Sequence, residues 1–303
     1  MQKQSQNKKN KITNKQTIVN VSEKSELLNF LIKKFPDKNR RTLKSLLSNK
    51  QIAINYNNVS QFNYILEPGD ELVISWDKSN IKDFTDNIKI LFEDNSIVVV
   101  EKNAKLLSVA NEKEKRKAVF NILIQKLRSE NPKNQLFVTH RLDKGVSGLM
   151  IFAKSKDIQT KLLNAWKNLE ITQKYYVIVE GLINRENGTI KSYLKENTAH
   201  IMYSVEDDNE GMLAITHFDL MSKTKHFSLL EVNLETKRKN QMRVHFKELG
   251  NPVVGDKKYG AKSNSLGRLG IHAYSLSFTH PVNGKLIKYE LEMPNKFKSL
   301  VKK

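Results

Sequence analysis

The sequence predicts an α+β protein in two parts: a small mixed α/β unit, then a larger unit built on a mostly antiparallel mixed sheet. Two observations carry this. From Lys174 onward, short alternating or apolar segments such as YYVIVEG, TIKSYL, LAITHFDL and FSLLEVNL follow one another, split by turn signals such as DDNEG and VNG. Upstream, a polar run, DKSNIKDFTDN at 77–87, reads as a linker that isolates a helix-rich segment. No repeat period is present.

The elements follow in order. Residues 1–17 hold five lysines and no acid, so residues 1–21 are expected to form a disordered basic tail. SELLNFLIKKF sets Leu27, Leu28, Leu31 and Phe35 at helical spacing, with Ser22 or Ser25 as the N-cap. DKNRRTLKSLLSNK aligns Leu43, Leu46 and Leu47 on one face, with Asp37 as the cap. A strand QIAIN, a turn YNNV, and ILEPGDELVISW with its Pro-Gly-Asp turn complete a domain over 22–77. The second domain, 88–303, opens with two strands around an EDN turn. Helices are expected at 117–130 and at 156–169, where Ile158, Leu162, Leu163 and Trp166 recur at helical spacing.

Composition excludes several classes. The chain is 39% hydrophobic, enough for a core, and its longest apolar runs fall far short of the roughly 20 residues of a membrane-spanning helix. No apolar stretch follows the N-terminal lysines, so no secretory signal is read and a cytoplasmic location is expected. With no cysteine there is no disulfide, thiolate metal site or cysteine nucleophile. Fifty-two basic residues against 32 acidic give +20, which attracts phosphate backbones. A low-GC coding bias also raises lysine content, so clustering has to decide. Lys33, Lys34, Lys38, Arg40, Arg41, Lys44 and Lys50 surround a lone Asp37. That density points to a phosphate-facing surface, with a solvated helix face as the other reading.

Residues 140–148, HRLDKGVSG, carry the chemistry. Asp143 sits on a glycine-rich loop between the apolar segments FV and LMIFA. A carboxylate beside the fixed guanidinium of Arg141 stays ionised, able to act as nucleophile or base. Taken alone, the same residues also read as an arginine–aspartate pair buttressing a turn. A protein-kinase catalytic loop is excluded by the intervening Leu142 and by the lack of a DFG or Gly-rich loop. A glycosidase would need a second carboxylate, and none is near in sequence.

The neighbouring blocks add a resemblance. HRLDKGVSGLMIFAKS resembles the signature of the RluA-type pseudouridine synthases, HRLD followed by TSGLLLFAK. KYYVIVEG, LETKRKNQMRVHFKELGNPVVGDKKYG and RLGIHAYSLSFTHPVNG resemble three further family blocks in the same order, over about residues 88–297. The order helix, basic helix, strand, PGD turn and strand over 22–77 resembles the alpha-L RNA-binding domain. The resemblance implies the pseudouridine synthase fold with a small N-terminal RNA-binding domain. It implies isomerisation of uridine to pseudouridine in structured RNA, large-subunit ribosomal RNA ahead of transfer RNA.

By the same resemblance, Asp143 is the catalytic carboxylate, Tyr176 the tyrosine that stacks on uracil and aids proton removal, and Arg243 the arginine that pairs with the aspartate. Arg141 assists base flipping, and His140 is structural. Lys33, Lys34, Lys38, Arg40, Arg41 and Lys44 are the expected RNA contacts of the small domain. No metal or organic cofactor is implied, and a monomer with RNA as its partner is expected. The chain departs from the pattern in three places: KPxGL becomes KNAKL at 102–106, TSG becomes VSG at Val146, and Lys237 stands where glycine is usual. The altered KNAKL loop leaves open an inactive RNA-binding assembly factor.

Overall fold

The computed structural model describes residues 16–55, 57–76, 88–110, 118–206 and 208–302. The chain divides into two compact units, Met1–Asp86 and Asn87–Lys303.

In the first unit, β1 (Gln16–Asn20), β2 (Ser25–Glu26), α1 (Leu27–Lys34), α2 (Arg40–Ser48), β3 (Ile52–Ile54), β4 (Asn57–Asn58), β5 (Ile65–Leu66) and β6 (Glu71–Ser75) follow one another. A four-stranded sheet runs β1-β6-β3-β4, and β2 pairs with β5. Leu27, Leu28 and Leu31 of α1 and Leu43, Leu46 and Leu47 of α2 pack into one core with Ile52, Ile54, Leu72 and Ile74. Each fully buried side chain of this kind contributes roughly 1.5–3 kcal/mol.

Three expectations are corrected here. The basic tail does not extend to residue 21: Gln16–Asn20 pairs antiparallel with β6, from Gln16↔Ser75 to Asn20↔Glu71. The β-branched run TIV turns Val19 into the core, and Val21 follows it, which the lysine count obscured. Residues 1–15 of that tail and the linker 77–87 lie outside the described residues. Neither serine caps α1, whose N-cap Glu26 makes no side-chain cap bond, because Ser25 is taken into β2. Asn39, rather than Asp37, caps α2: its Oδ1 accepts the Thr42 amide at 2.8 Å.

The second unit holds β7 (Ile88–Glu93), β8 (Ile97–Lys102), α3 (Val119–Glu130), β9 (Phe137–Val138), β10 (Ser147–Ala153), α4 (Lys156–Lys167), β11 (Thr172–Glu180), β12 (Asn187–Glu196), β13 (Met202–Val205), β14 (Met212–Lys223), β15 (Phe227–Leu234), α5 (Gln241–Glu248), β16 (Ile271–Thr279), β17 (Leu286–Glu290) and α6 (Asn295–Leu300). One sheet runs β13-β12-β14-β15-β11-β16-β10-β8-β7, with β17 on β16 and β9 on β10. Among the described strands, β10 and β16 form the parallel pair and the other pairs are antiparallel. The α+β fold with a mixed, mostly antiparallel sheet is the one the sequence predicts.

The middle of this sheet positions the site. Gly148 pairs with Ala273 of β16, and Ala273 pairs on its other side with Tyr175 of β11. At Gly148, φ is +123° and a Cβ would stand 2.1 Å from the Ala273 carbonyl oxygen, so only glycine lets β16 close here. The loop that carries Asp143 enters β10 immediately before this point and so lies beside Tyr175.

Candidate active site

The Asp143 loop is held on both sides by the 103–108 segment. Lys105 N donates to Lys144 O at 2.6 Å. Ser108 Oγ donates to Leu142 O at 2.6 Å and accepts the Leu142 amide at 2.9 Å. A turn closes behind the aspartate, with Val146 N on Asp143 O at 3.0 Å. Beneath it lies Lys102, fully buried, whose Nζ donates to the carbonyl oxygens of Asn103 and Leu106 at 3.1 and 2.8 Å. Burial lowers the Lys102 pKa to about 7, with Asp143 opposing the shift and Arg268 adding to it. The altered KNAKL loop thus keeps its grip on the aspartate. It does so with Lys105 at φ 73°, a left-handed conformation where the family pattern has glycine.

Arg243, on the first turn of α5, reaches Asp143 from 100 residues away, with Nη1 3.1 Å from Oδ2. The same guanidinium forks onto Asp256: Nε donates to Oδ2 at 2.6 Å and Nη2 to Oδ1 at 2.8 Å. Asn240, at φ 55°, accepts a further bond from Nη1 at 2.8 Å, and the guanidinium carbon lies 4.9 Å from the centre of the Tyr259 ring. Asp256 is the second carboxylate of the site. Sequence reasoning missed it because GD in VVGDKKYG reads as a turn.

Arg141 does not supply the guanidinium expected beside Asp143. It makes no ion pair with the aspartate among the described residues and stands exposed in the cavity wall. The Arg141 side chain is exposed at the wall, and the half-buried Asp143 carboxylate is taken by Arg243 instead. His140 is structural: its Nε2 accepts the Ile151 amide at 3.0 Å, and burial lowers its pKa to about 3, with Lys237 adding to the shift.

The tyrosine assignment also needs correction. Tyr175, not Tyr176, faces Asp143. Side chains alternate along β11, so Gln173 and Tyr175 turn to the cavity while Lys174 and Tyr176 turn to the opposite face. Tyr175 OH donates to Gln173 Oε1 at 2.8 Å, and Gln173 Nε2 donates to Leu149 O at 2.9 Å. Burial, with the charge of Asp143, pushes the Tyr175 phenol well above its ordinary value. Tyr176 stacks on Tyr274 with ring centres 3.8 Å apart, beside Glu231. The lysine-any-tyrosine spacing selects Tyr176; the alternation with Gln173 was the available signal for its neighbour.

These groups share a cavity of about 1060 Å³. Its lining holds eight lysines and arginines against two aspartates, Asp143 and Asp256, which favours a polyanionic ligand. Among the described residues no cluster of His, Asp or Glu side chains is placed to hold a metal ion. None of the described helices is long and apolar enough to cross a membrane.

The family model for RNA pseudouridylate synthase matches residues 96–248, which contain Asp143, Tyr175 and Arg243. The chain belongs to the RNA pseudouridylate synthase family. This synthase is 29% identical to the Bacillus subtilis RNA pseudouridine synthase YlyB over 92% of its own length and 94% of the relative's. It is 27% identical to the ribosomal large subunit pseudouridine synthase D of Haemophilus ducreyi, over 88% and 87%. A Mycobacterium bovis RNA pseudouridine synthase is 32% identical over 67% of this chain and 68% of that one. The human RNA pseudouridylate synthase domain containing 4 shares the fold, with a TM-score of 0.57 at 23% identity over 69% of this chain and 90% of that one. The synthase is therefore an RNA-modifying isomerase.

Proposed function

We propose that the synthase isomerises uridine in large-subunit ribosomal RNA with Asp143 as its catalytic carboxylate. The observation that carries this reading is the Arg243 guanidinium shared between Asp143 and Asp256 in a cation-lined cavity. The reaction detaches uracil from ribose through its ring nitrogen and rejoins the sugar to a ring carbon, so positive character develops at the anomeric carbon. An ionised carboxylate held beside that carbon attacks or stabilises it, and the guanidinium keeps the carboxylate charged and aimed. Tyr175 is the aromatic residue that meets the base once it leaves the stack, and Arg141, exposed at the wall, assists its extrusion.

Ribosomal RNA is favoured by the ribosomal large subunit synthases of Haemophilus ducreyi and Pasteurella multocida among the relatives. The first unit adds support as an alpha-L RNA-binding domain. Lys33, Lys34, Lys38, Arg40, Arg41 and Lys44 are all exposed there, with Lys44 over the exposed Phe62 ring at 5.6 Å. Pairing of basic and aromatic groups suits RNA backbone and bases together. The inactive assembly-factor reading is disfavoured by a carboxylate, tyrosine and arginine gathered in one cavity. The test is pseudouridine mapping across ribosomal and transfer RNA from a deletion strain complemented with wild type or Asp143→Ala. Ribosomal sites are expected to vanish in the deletion and to return with wild type alone. Sites that return with Asp143→Ala would overturn the catalytic assignment, and sites confined to transfer RNA would overturn the target.

A further inference from the structure

Lys237 is the family departure that the chemistry above leaves unused. It lies in the wall of the same cavity as Asp143 and Arg243. Its ammonium rests on the Trp166 ring, 3.2 Å from the ring centre, and His140 packs tilted against that ring at 4.8 Å. No carboxylate of the described residues lies within ion-pair distance of it, in contrast to Lys239, which is paired with Glu196. The Lys237 side chain is exposed at this wall, so its ammonium can leave the ring for an anion that enters the cavity.

Trp166 contacts His140, three residues before Asp143, and three residues of chain span at most roughly 11 Å. A cation on an aromatic face is weakly held and easily moved to a better partner. The substrate class of this enzyme brings one kind of anion into the cavity, the phosphodiester.

We infer that Lys237 is a phosphate hook: parked on Trp166 in the free enzyme, it takes a backbone phosphate flanking the target uridine when RNA enters. This rests on the cavity being the active site. The glycine usual at this position has no side chain to do this, so the interaction is a property of this chain within its family.

The experiment uses the full chain in the Asp143→Ala background, to prevent turnover. The probe is a short synthetic RNA spanning a uridine that the mapping identifies as converted. Lys237→Gln and Lys237→Gly are expected to weaken binding roughly fivefold near 0.1 M salt and to reduce the slope of log affinity against log salt by about 0.7. Lys237→Arg is expected to restore both. Replacing one flanking phosphate with a neutral methylphosphonate should weaken wild-type binding by a similar factor and add nothing to Lys237→Gln, since the two changes remove the same ion pair. A role limited to covering Trp166 would lower the melting temperature and leave the salt slope unchanged. Unchanged slope and affinity in folded Lys237→Gln would overturn the inference while leaving the cavity assignment standing. Retained conversion by Asp143→Ala in the otherwise wild-type chain would instead overturn the cavity assignment on which it rests.

Discussion

Arg243 Nη1 donates to Asp143 Oδ2 at 3.1 Å while the rest of the guanidinium is forked onto Asp256. Asp256 thereby aims the Asp143 carboxylate through one intervening guanidinium. Its side chain is 1% exposed and that of Arg243 is 13%, so the pair is desolvated. Breaking it by Asp256→Asn is expected to cost about 3 kcal/mol of stability and to lower turnover by about 100-fold through lost orientation. Arg243→Lys keeps the charge and loses the fork, so it should be nearly as impaired as Arg243→Ala. Urea unfolding and turnover on a mapped RNA site check both. Near-normal turnover in Arg243→Lys would show that a point charge suffices.

Tyr175 and Tyr176 make the sharpest paired comparison. Tyr175→Leu removes the aromatic face toward Asp143 and is expected to abolish detectable conversion. Tyr175→Phe keeps the face and loses only the bond to Gln173. Tyr176→Phe retains the stack on Tyr274 on the opposite face, so conversion should stay within about twofold of wild type. Single-turnover rates for the three variants decide it: a Tyr176→Phe enzyme slower than Tyr175→Leu would reverse the assignment.

That pair of tyrosines marks where sequence reasoning stops. Asp143 was legible because HRLD is contiguous, and Arg243 because a long ordered block carried it. A choice between adjacent tyrosines depends on which face of β11 meets the cavity. That face is set by pairing with Ala273 and by Gly148, through contacts distant in sequence. Asp256 was hidden because an aspartate after glycine has an ordinary turn reading, and only its fork onto Arg243 distinguishes it. Strand β1 was hidden because lysines dominate the stretch before it, while its stability comes from pairing with β6.

Lys105 offers a test on stability alone. Its φ of 73° strains a side-chain-bearing residue, and a glycine there is free of that cost. Lys105→Gly is expected to stabilise the synthase by about 0.5–1 kcal/mol, with the urea m-value unchanged. A destabilised Lys105→Gly would mean that the lysine side chain contributes more than its backbone costs.

The basic face of the first unit predicts a salt signature. Replacing Lys33, Lys34, Lys38, Arg40, Arg41 and Lys44 by glutamine should weaken RNA binding and flatten its dependence on salt, by roughly 0.7–0.9 in slope for each phosphate no longer neutralised. Binding curves from 50 to 200 mM salt provide the measurement, and an unchanged slope would remove this surface from the RNA interface.

Acid sensitivity follows from three histidines that burial holds neutral, His140 at the cavity and two others. His245 meets the hydroxyls of Ser192 and Thr216 at 3.0 and 2.9 Å, and His272 meets Ser147 Oγ at 2.8 Å. Burial lowers both from an ordinary 6.5 to about 4, with Arg268 adding to the shift at His272. Unfolded chains take up these protons near pH 6.5 and the folded protein only near pH 4, so the unfolded state binds more protons in between. Stability therefore falls as pH drops through that window and is unaffected by these two groups above it. Each contributes up to about 3 kcal/mol to that loss. Urea unfolding from pH 7 to pH 4 should show the decline, and His245→Gln should make it shallower at the expense of lower stability at pH 7. An equally steep decline in His245→Gln would assign the acid sensitivity to other groups.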